Sequence, residues 1–107
     1  MSSSTVESRV ALAAQVLVGE DTLTVELADG RTISAPLAWF PRLNFATIEE
    51  RGNWRLVASG RGIHWPAIDE DISVDNLLSG LPSCESQTSF KKWMASRGLS
   101  RRSETNY

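Results

Sequence analysis

Residues 23–35 read Leu-Thr-Val-Glu-Leu-Ala-Asp-Gly-Arg-Thr-Ile-Ser-Ala, and this stretch decides the fold. Apolar and polar side chains alternate on both sides of the Asp-Gly pair, which is the pattern of a β-hairpin. A two-residue loop would place Ile33 opposite Glu26, on the wrong face of the sheet. A three-residue loop over residues 28–30 places it opposite Val25 instead. Because a one-residue slip moves every side chain to the other face, the pattern predicts the longer loop, closed by a left-handed glycine.

The segments on either side of this hairpin predict a further strand and a short helix. The earlier strand is predicted to have one apolar face, with Gln15 on the other. After the hairpin, Pro36 suits the first position of one helical turn, and Pro41 prevents a long continuation. Leu37 and Phe40 are predicted to face inward from that turn. The apolar face of the earlier strand consists of Val10, Leu12, Ala14, Val16 and Val18.

The second half of the chain predicts a helix and a second hairpin. Residues 47–50, Thr-Ile-Glu-Glu, have the spacing of a capping box, and Gly52 is placed to end the helix. Residues 54–58 then alternate as a strand. After a Gly-containing turn, Ile63 and Trp65 continue on one face of a partner strand, which the following proline ends.

A last short helix and a change of composition complete the predicted organisation. Ser73 is suited to cap a helix over residues 74–79. Near Pro82 the periodic sequence gives way to a linker-like segment. We therefore predict an α+β domain over residues 6–81, with an antiparallel sheet of about five strands (a three-stranded meander plus a hairpin), and a tail over residues 82–107.

Length and charge limit the class of protein. The 107 residues suffice for one small domain. Residues 1–80 carry 6 basic and 11 acidic side chains, a balance of −5, whereas residues 81–107 carry 5 and 2, a balance of +3. Such a split is typical of a charged tail beside a compact body. Without a secretory signal or a long apolar run, and with Cys84 as the single cysteine, we expect a reduced, cytoplasmic protein that does not enter a membrane.

The tail is predicted to contain an amphipathic helix. Ser86 or Ser89 could cap its start, and Gly98 could end it. Lys91 and Lys92 add positive charge. Two interpretations stay open: a last helix docked on the body, or a segment that orders on a partner. The helical face formed at spacings of three and four consists of Phe90, Trp93, Met94 and Arg97.

The chain has one histidine, His64, which precedes the acidic run Asp69-Glu-Asp71. A histidine near three carboxylates could bind a divalent metal or act as part of an acid–base pair. One histidine beside a loop is weak evidence for either, so we favour a structural loop in which Asp71 or Ser73 caps the next helix. The acidic run could also form half of a charge-complementary interface.

The tryptophans of the body admit two roles. Trp39, Trp54 and Trp65 each lie in or beside a predicted element, which favours core packing. In the alternative, one of them is an aromatic anchor on a binding face, with Arg42 or Arg61 at its rim.

Two long motifs resemble a known bacterial family. They are Asp29-Gly-Arg-Thr-Ile-Ser-Ala-Pro-Leu-Ala-Trp-Phe-Pro-Arg-Leu43 and Gly62-Ile-His-Trp-Pro-Ala-Ile-Asp-Glu-Asp-Ile-Ser73, the second followed by Leu77-Leu78. Over about residues 10–80 the chain resembles the family called domain of unknown function 2442. The resemblance implies a small α+β domain without an established catalytic activity. Some members resemble antitoxins encoded beside a small toxin, and others carry a helix-turn-helix after the domain, for which this tail is too short.

We therefore expect a non-enzymatic protein-binding module, antitoxin-like or inhibitory, with no catalytic residue, metal or cofactor. The alternative is a DNA-associated regulator that uses the basic tail, although an isoelectric point near 5.3 makes nucleic acid secondary. An enzyme or metal protein centred on His64 and Asp69–Asp71 is a third hypothesis. The chain could also form a homodimer, which the DNA-associated alternative requires. The expected partner-binding residues are Phe90, Lys91, Lys92, Trp93, Met94 and Arg97 in the tail and Trp39, Arg42, Trp65, Asp69, Glu70 and Asp71 in the body.

Overall fold

Three antiparallel strands at the start of the chain form the first of two sheets. The computed structural model describes residues 11–83 and 85–97, so the expectations for Val10, Cys84 and Gly98 lie outside the described residues. The strands are β1 (Ala13–Val18), β2 (Thr22–Leu27) and β3 (Thr32–Pro36), in the order β1-β2-β3.

The predicted register of the β2–β3 hairpin is confirmed. Val25 pairs with Ile33 and Leu23 with Ala35, as the three-residue loop requires. Gly30 closes the loop at φ +97°, a conformation that glycine adopts without steric cost.

The face predicted for β1 is wrong in its first half. The pairing with β2 shifts register between Ala13 and Gln15, which is a β-bulge at Ala14. The extra residue shifts the alternation, so Ala13 and Val16 are buried whereas Ala14 is exposed. Leu12 is half-buried and lies before the strand.

Pro41 begins a helix, although we predicted that it would only stop one. A 3-10 turn over Leu37–Trp39 follows β3, and α1 (Pro41–Asn44) begins directly after Phe40. Proline fits the first helical position because its missing N–H would have no partner there in any case. Leu37 and Phe40 are buried as predicted, together with Leu43 of α1.

The capping box is confirmed in α2 (Ile48–Gly52). The Glu50 amide donates to Thr47 Oγ1 over 3.1 Å, and the Thr47 amide donates to the Glu50 carboxylate over 2.9 Å. The next strand, β4 (Arg55–Val57), is shorter than predicted. It ends because Ala58 and Ser59 take positive φ values of 52° and 59°, outside the extended region.

The second sheet has a strand that we did not predict. It comprises β4, β5 (Gly62–Trp65) and β6 (Glu70–Ser73) in the order β4-β5-β6. The acidic run predicted as a loop therefore lies largely in β6, where Glu70 pairs with Trp65 and Ile72 pairs with Ile63. The fold is α+β with two three-stranded sheets, close to the expected strand count.

Two helices complete the fold at the predicted places. Ser73 caps α3 (Val74–Leu78) by accepting from the Asn76 amide over 3.2 Å. Ser86 caps α4 (Gln87–Ser96) in the same way. Among residues 11–83 and 85–97, no helix is long and apolar enough to cross a membrane.

The core lies between the two sheets and the short helices. Trp65 is fully buried, and its indole N–H donates to the Arg51 carbonyl over 3.0 Å. The absence of a side chain at Gly60 allows the second sheet to pack closely against β1. A Cβ added there would come within 3.3 Å of the Ala13 carbonyl oxygen. The remaining fully buried large side chains are Leu23, Val25, Leu37, Leu43, Ile63, Ile68 and Val74.

Candidate functional site

The aromatic face of α4 packs against the body. The rings of Phe90 and Trp93 stack with centroids 5.8 Å apart, and Phe45, at the end of α1, lies 5.6 Å from Phe90. The guanidinium carbons of Arg97 and Arg42 lie 4.5 and 5.6 Å from the Trp93 ring centroid, within cation–π range. This placement supports the interpretation of α4 as a docked last helix.

Two ion pairs fasten this helix to the body. Arg97 donates to both carboxylate oxygens of Glu50 over 2.8 and 2.9 Å, and this contact is the largest cause that holds the pKa of Glu50 below its usual value. Arg42 pairs with Glu85 over 2.7 Å. The side chains of both pairs are largely buried, so they are screened less than surface pairs.

The other residues expected to bind a partner differ in their exposure to solvent. Lys91 and Lys92 are exposed, whereas Met94 is half-buried. In the body, Trp39 is half-buried against the core, and its carbonyl accepts from the Ser83 amide over 3.0 Å. Trp65 has no exposed surface to offer a partner, so for this tryptophan the core interpretation holds.

An open pocket of about 290 Å³ lies beside α4 and gathers the acidic residues, and we call it the acidic pocket. Arg42 of α1 lies in it, and Glu85 enters from the segment before α4. The residues that line it are Arg42, Asp69, Glu70, Asp71, Ser83, Glu85 and Ser89.

Glu70 is the buried charged residue of the acidic pocket, with 8% of its surface exposed. Burial and, after it, the neighbouring negative charge of Glu85 raise the pKa of Glu70 to about 7, although Arg42 acts in the opposite direction. This carboxyl group therefore holds its proton to a higher pH than an exposed glutamate does.

His64 pairs across the second sheet with Asp71. The distance from His64 Nδ1 to Asp71 Oδ1 is 2.6 Å, and the two residues face each other in the β5–β6 register. The pair lies on the face opposite Ile63 and Trp65. Within the part of the chain that the structure describes, no group of three or more His, Cys, Asp or Glu side chains is placed to hold a metal ion.

A second surface lies between β1 and α2, and sequence reasoning did not find it. A groove of about 480 Å³ runs between them, and we call it the β1–α2 groove. Ile48 is 84% exposed and Leu17 is 53% exposed, and the half-buried Trp54 lies beside them. The full lining is Val16, Leu17, Val18, Gly19, Glu20, Ile48, Arg51, Gly52 and Trp54.

Local structure explains why these apolar side chains are exposed. Leu17 alternates with the buried Val16, so it faces away from the core. Ile48 is the first residue of α2, and the capping box fixes that start. Arg51 also lines the groove, and its guanidinium joins α2 to its neighbours by donating to the carbonyls of Asn44 and Gly19 over 2.8 and 3.2 Å.

The family model called Protein of unknown function (DUF2442) matches residues 13–83 of this chain. The chain belongs to that family. The matched DUF2442 region holds all six strands and the whole β1–α2 groove, whereas Glu85 and α4 follow it. The groove thus lies within the DUF2442 region of this chain, and the acidic pocket joins that region to the segment after it.

Two solved structures of bacterial proteins share the fold. A crystal structure of a protein of unknown function from Rhodospirillum rubrum has a TM-score of 0.62 and 23% identity, and covers 72% of this chain and 95% of that one. A solution NMR structure of an uncharacterised protein from Chromobacterium violaceum has the same TM-score and identity, and covers 92% and 86%. No curated protein matches the chain.

Proposed function

We propose that this DUF2442 protein is a non-enzymatic binding module that holds another bacterial protein in the cytoplasm, in the manner of an antitoxin or an inhibitor. The observation that carries the proposal is the exposed apolar surface of the β1–α2 groove. Single exposed apolar residues are ordinary, but adjacent ones around a concave surface are characteristic of a protein interface. Ile48 and Leu17 supply the apolar centre, and Trp54 supplies the aromatic side chain that often anchors such contacts.

The rim of the groove also suits a protein partner. Glu20 and Arg51 lie at its margin and carry opposite charges. A polar rim around an apolar centre is the usual arrangement of a protein–protein interface, because the rim stays hydrated while the centre is closed to water.

The tail contributes less to this proposal than the sequence suggested. Phe90 and Trp93 already contact Phe45, Arg42 and Arg97 within the chain, so a partner that took them would first have to separate these contacts. The groove needs no such rearrangement. We therefore place the main contact on the groove and assign α4 to the scaffold.

Co-expression with the protein encoded by the adjacent gene tests the proposal. We expect the two proteins to purify together, and Ile48→Glu to lower the affinity at least tenfold, since a charge at the centre of a closed apolar contact would be desolvated. The variant is expected to fold, because glutamate is favourable in the first turn of a helix. Isothermal titration calorimetry of the separately purified proteins measures the change.

Leu78→Glu is the matched control, because Leu78 is an exposed apolar residue outside the groove. The affinity of Leu78→Glu for the partner protein should stay within twofold of that of the parent. Equal affinities for the parent and Ile48→Glu would contradict the proposed surface. Salt-sensitive binding of duplex DNA in place of a protein would contradict the proposed class of partner.

A further inference from the structure

We propose that the acidic pocket receives the guanidinium group of an arginine side chain on the partner protein. This inference rests on the proposed function, since the arginine belongs to the protein bound there. It adds a second contact of defined chemistry to the apolar one.

The charges of the acidic pocket are not balanced. Four carboxylates line it, whereas Arg42 is the cation among its lining residues. Asp71 is also paired with His64, which carries charge only when protonated. A ligand of this pocket must therefore carry a positive charge.

Arg42 is already occupied by partners within the chain. Its Nε and Nη2 atoms donate to one oxygen of Glu85 over 2.8 and 2.7 Å. Its Nη1 atom donates to the backbone carbonyls of Ile68 and Asp69 over 3.0 and 3.3 Å. The guanidinium of Arg42 thus compensates Glu85, whereas the carboxylates of Asp69 and Glu70 have no hydrogen-bonded cation among the described residues.

Glu85 gives independent evidence for a missing donor. Its side chain is 9% exposed, and Oε2 accepts from Arg42 and from the Ser89 hydroxyl. Oε1 is buried and has no hydrogen-bond partner in the part of the chain that the structure describes. A buried acceptor without a donor destabilises the folded chain, because it has lost its hydrogen bond to water. Glu85 lines the acidic pocket, so a cation bound there would place a favourable charge beside this carboxylate.

Arginine fits this arrangement better than lysine does. Glu70 and Glu85 line the same pocket, and a guanidinium presents five donors in a planar fork that can serve two carboxylates together. A second depression of about 230 Å³ adjoins the pocket and is lined in part by Phe40, Ile72 and Leu81. These apolar walls suit the methylene stem of an arginine or a neighbouring apolar residue.

The proposed contact should strengthen as the pH rises. The groups that face Glu70 are Arg42, Glu85, Asp69 and Asp71, the last paired with His64. A guanidinium stays charged throughout, whereas Glu70 loses its proton near pH 7. The affinity is therefore lower below this pH and increases through it.

The test is an NMR titration of the full chain with the capped peptide acetyl-Gly-Arg-Gly-amide at pH 8. We expect saturable shifts of the Glu70, Asp71 and Ser89 amides. The same peptide with citrulline, which has the shape of arginine without its charge, should bind at least tenfold more weakly. Affinity for the arginine peptide should fall at least threefold between pH 8 and pH 6.

Glu70→Gln keeps the shape of the side chain and should weaken binding at least fivefold at pH 8. The matched control is Glu26→Gln, at an exposed carboxylate of β2 outside the pocket, and should bind as the parent does. Equal binding of the arginine and citrulline peptides would overturn the proposal, and so would an unchanged Glu70→Gln variant. The peptide contains no partner protein, so this outcome is separate from the effect of Ile48→Glu on the complex.

Discussion

At the scale of single residues, Gly30 shows how the backbone conformation of a turn determines which amino acid fits there. Its φ of +97° favours glycine, and an added Cβ would meet no atom within 4 Å, so any cost of a substitution comes from the backbone. We expect Gly30→Ala to lower the free energy of unfolding by about 1–2 kcal/mol. Urea denaturation of the variant and the parent measures this difference.

Gly52→Ala is the control for that substitution. Gly52 also has open space around it, but its φ lies outside the left-handed region, and it is the last residue of α2. The control should be neutral or slightly stabilising, because alanine favours helix. A Gly30→Ala variant as stable as Gly52→Ala would contradict the left-handed turn.

Glu70 predicts how stability depends on pH. Its pKa is about 7 in the folded chain and near 4.5 without the fold, so the folded state binds the extra proton between these values. The contribution of Glu70 to the free energy of unfolding therefore falls as the pH rises from about 4.5 through 7. Glu70→Gln removes the charge and should stabilise the protein by about 1–3 kcal/mol at pH 8, since one pKa unit corresponds to about 1.4 kcal/mol.

Chemical denaturation of the parent and Glu70→Gln at pH 5 and pH 8 checks this prediction. The two proteins should differ little at pH 5, where Glu70 is protonated in the folded state. If the parent and Glu70→Gln differed in stability by the same amount at pH 5 and at pH 8, Glu70 would not titrate between these pH values.

Residues that act on near neighbours were predictable from the sequence, and residues that act over a long distance were not. Thr47 and Ser73 cap their helices through amides three residues away, so their spacing alone revealed them. Glu85 and Glu50 pair with arginines 43 and 47 residues away. Sequence spacing carries no sign of such a pairing, because it depends on how α4 lies on the body.

At the scale of elements, the departures from prediction have local causes. The bulge at Ala14 inserts one residue into β1, so the residues before it change to the other face of the sheet. Because those residues are also apolar (alanine and leucine), the sequence pattern does not show the change. The strand β6 was missed because three acidic residues in succession resemble a solvated loop. Its apolar member, Ile72, pairs with Ile63 and covers the core.

The helix α4 makes a testable element-scale contribution. Trp93 packs against the core, stacks on Phe90 and lies near two guanidinium groups. We expect Trp93→Ala to lower the free energy of unfolding by about 1–3 kcal/mol, less than for a fully buried aromatic residue. Lys92→Ala, on the exposed side, should change it by less than about 0.5 kcal/mol. Equal melting temperatures for these two variants would contradict docking of the helix.

At the scale of the whole molecule, the division after Pro82 remains a prediction. The six strands and their core are complete before it, so a chain that ends at Pro82 should still unfold cooperatively. It should melt at a lower temperature, because Arg42 would lose its ion pair with Glu85 and Trp93 would no longer pack against the core. A non-cooperative thermal transition by circular dichroism would show that the body needs α4.

The arrangement of the two sheets could not be predicted from periodicity. Alternation identified five strands and the inward residues of most of them, but it does not specify which sheets form. The approach of Gly60 to Ala13 brings β1 close to the second sheet, and the β1–α2 groove lies where β1 and α2 come together. The proposed binding surface is therefore a property of the assembled molecule, since Leu17 and Ile48 are 31 positions apart in the sequence.

Hydrogen exchange of the protein alone and in complex with the product of the adjacent gene tests the central claim most directly, because it locates the contact. The account predicts at least tenfold slower exchange for amides over residues 16–20 and 48–54, with the amides of α4 unchanged. Slower exchange confined to α4, with no change along the β1–α2 groove, would contradict the account and return the binding surface to the tail.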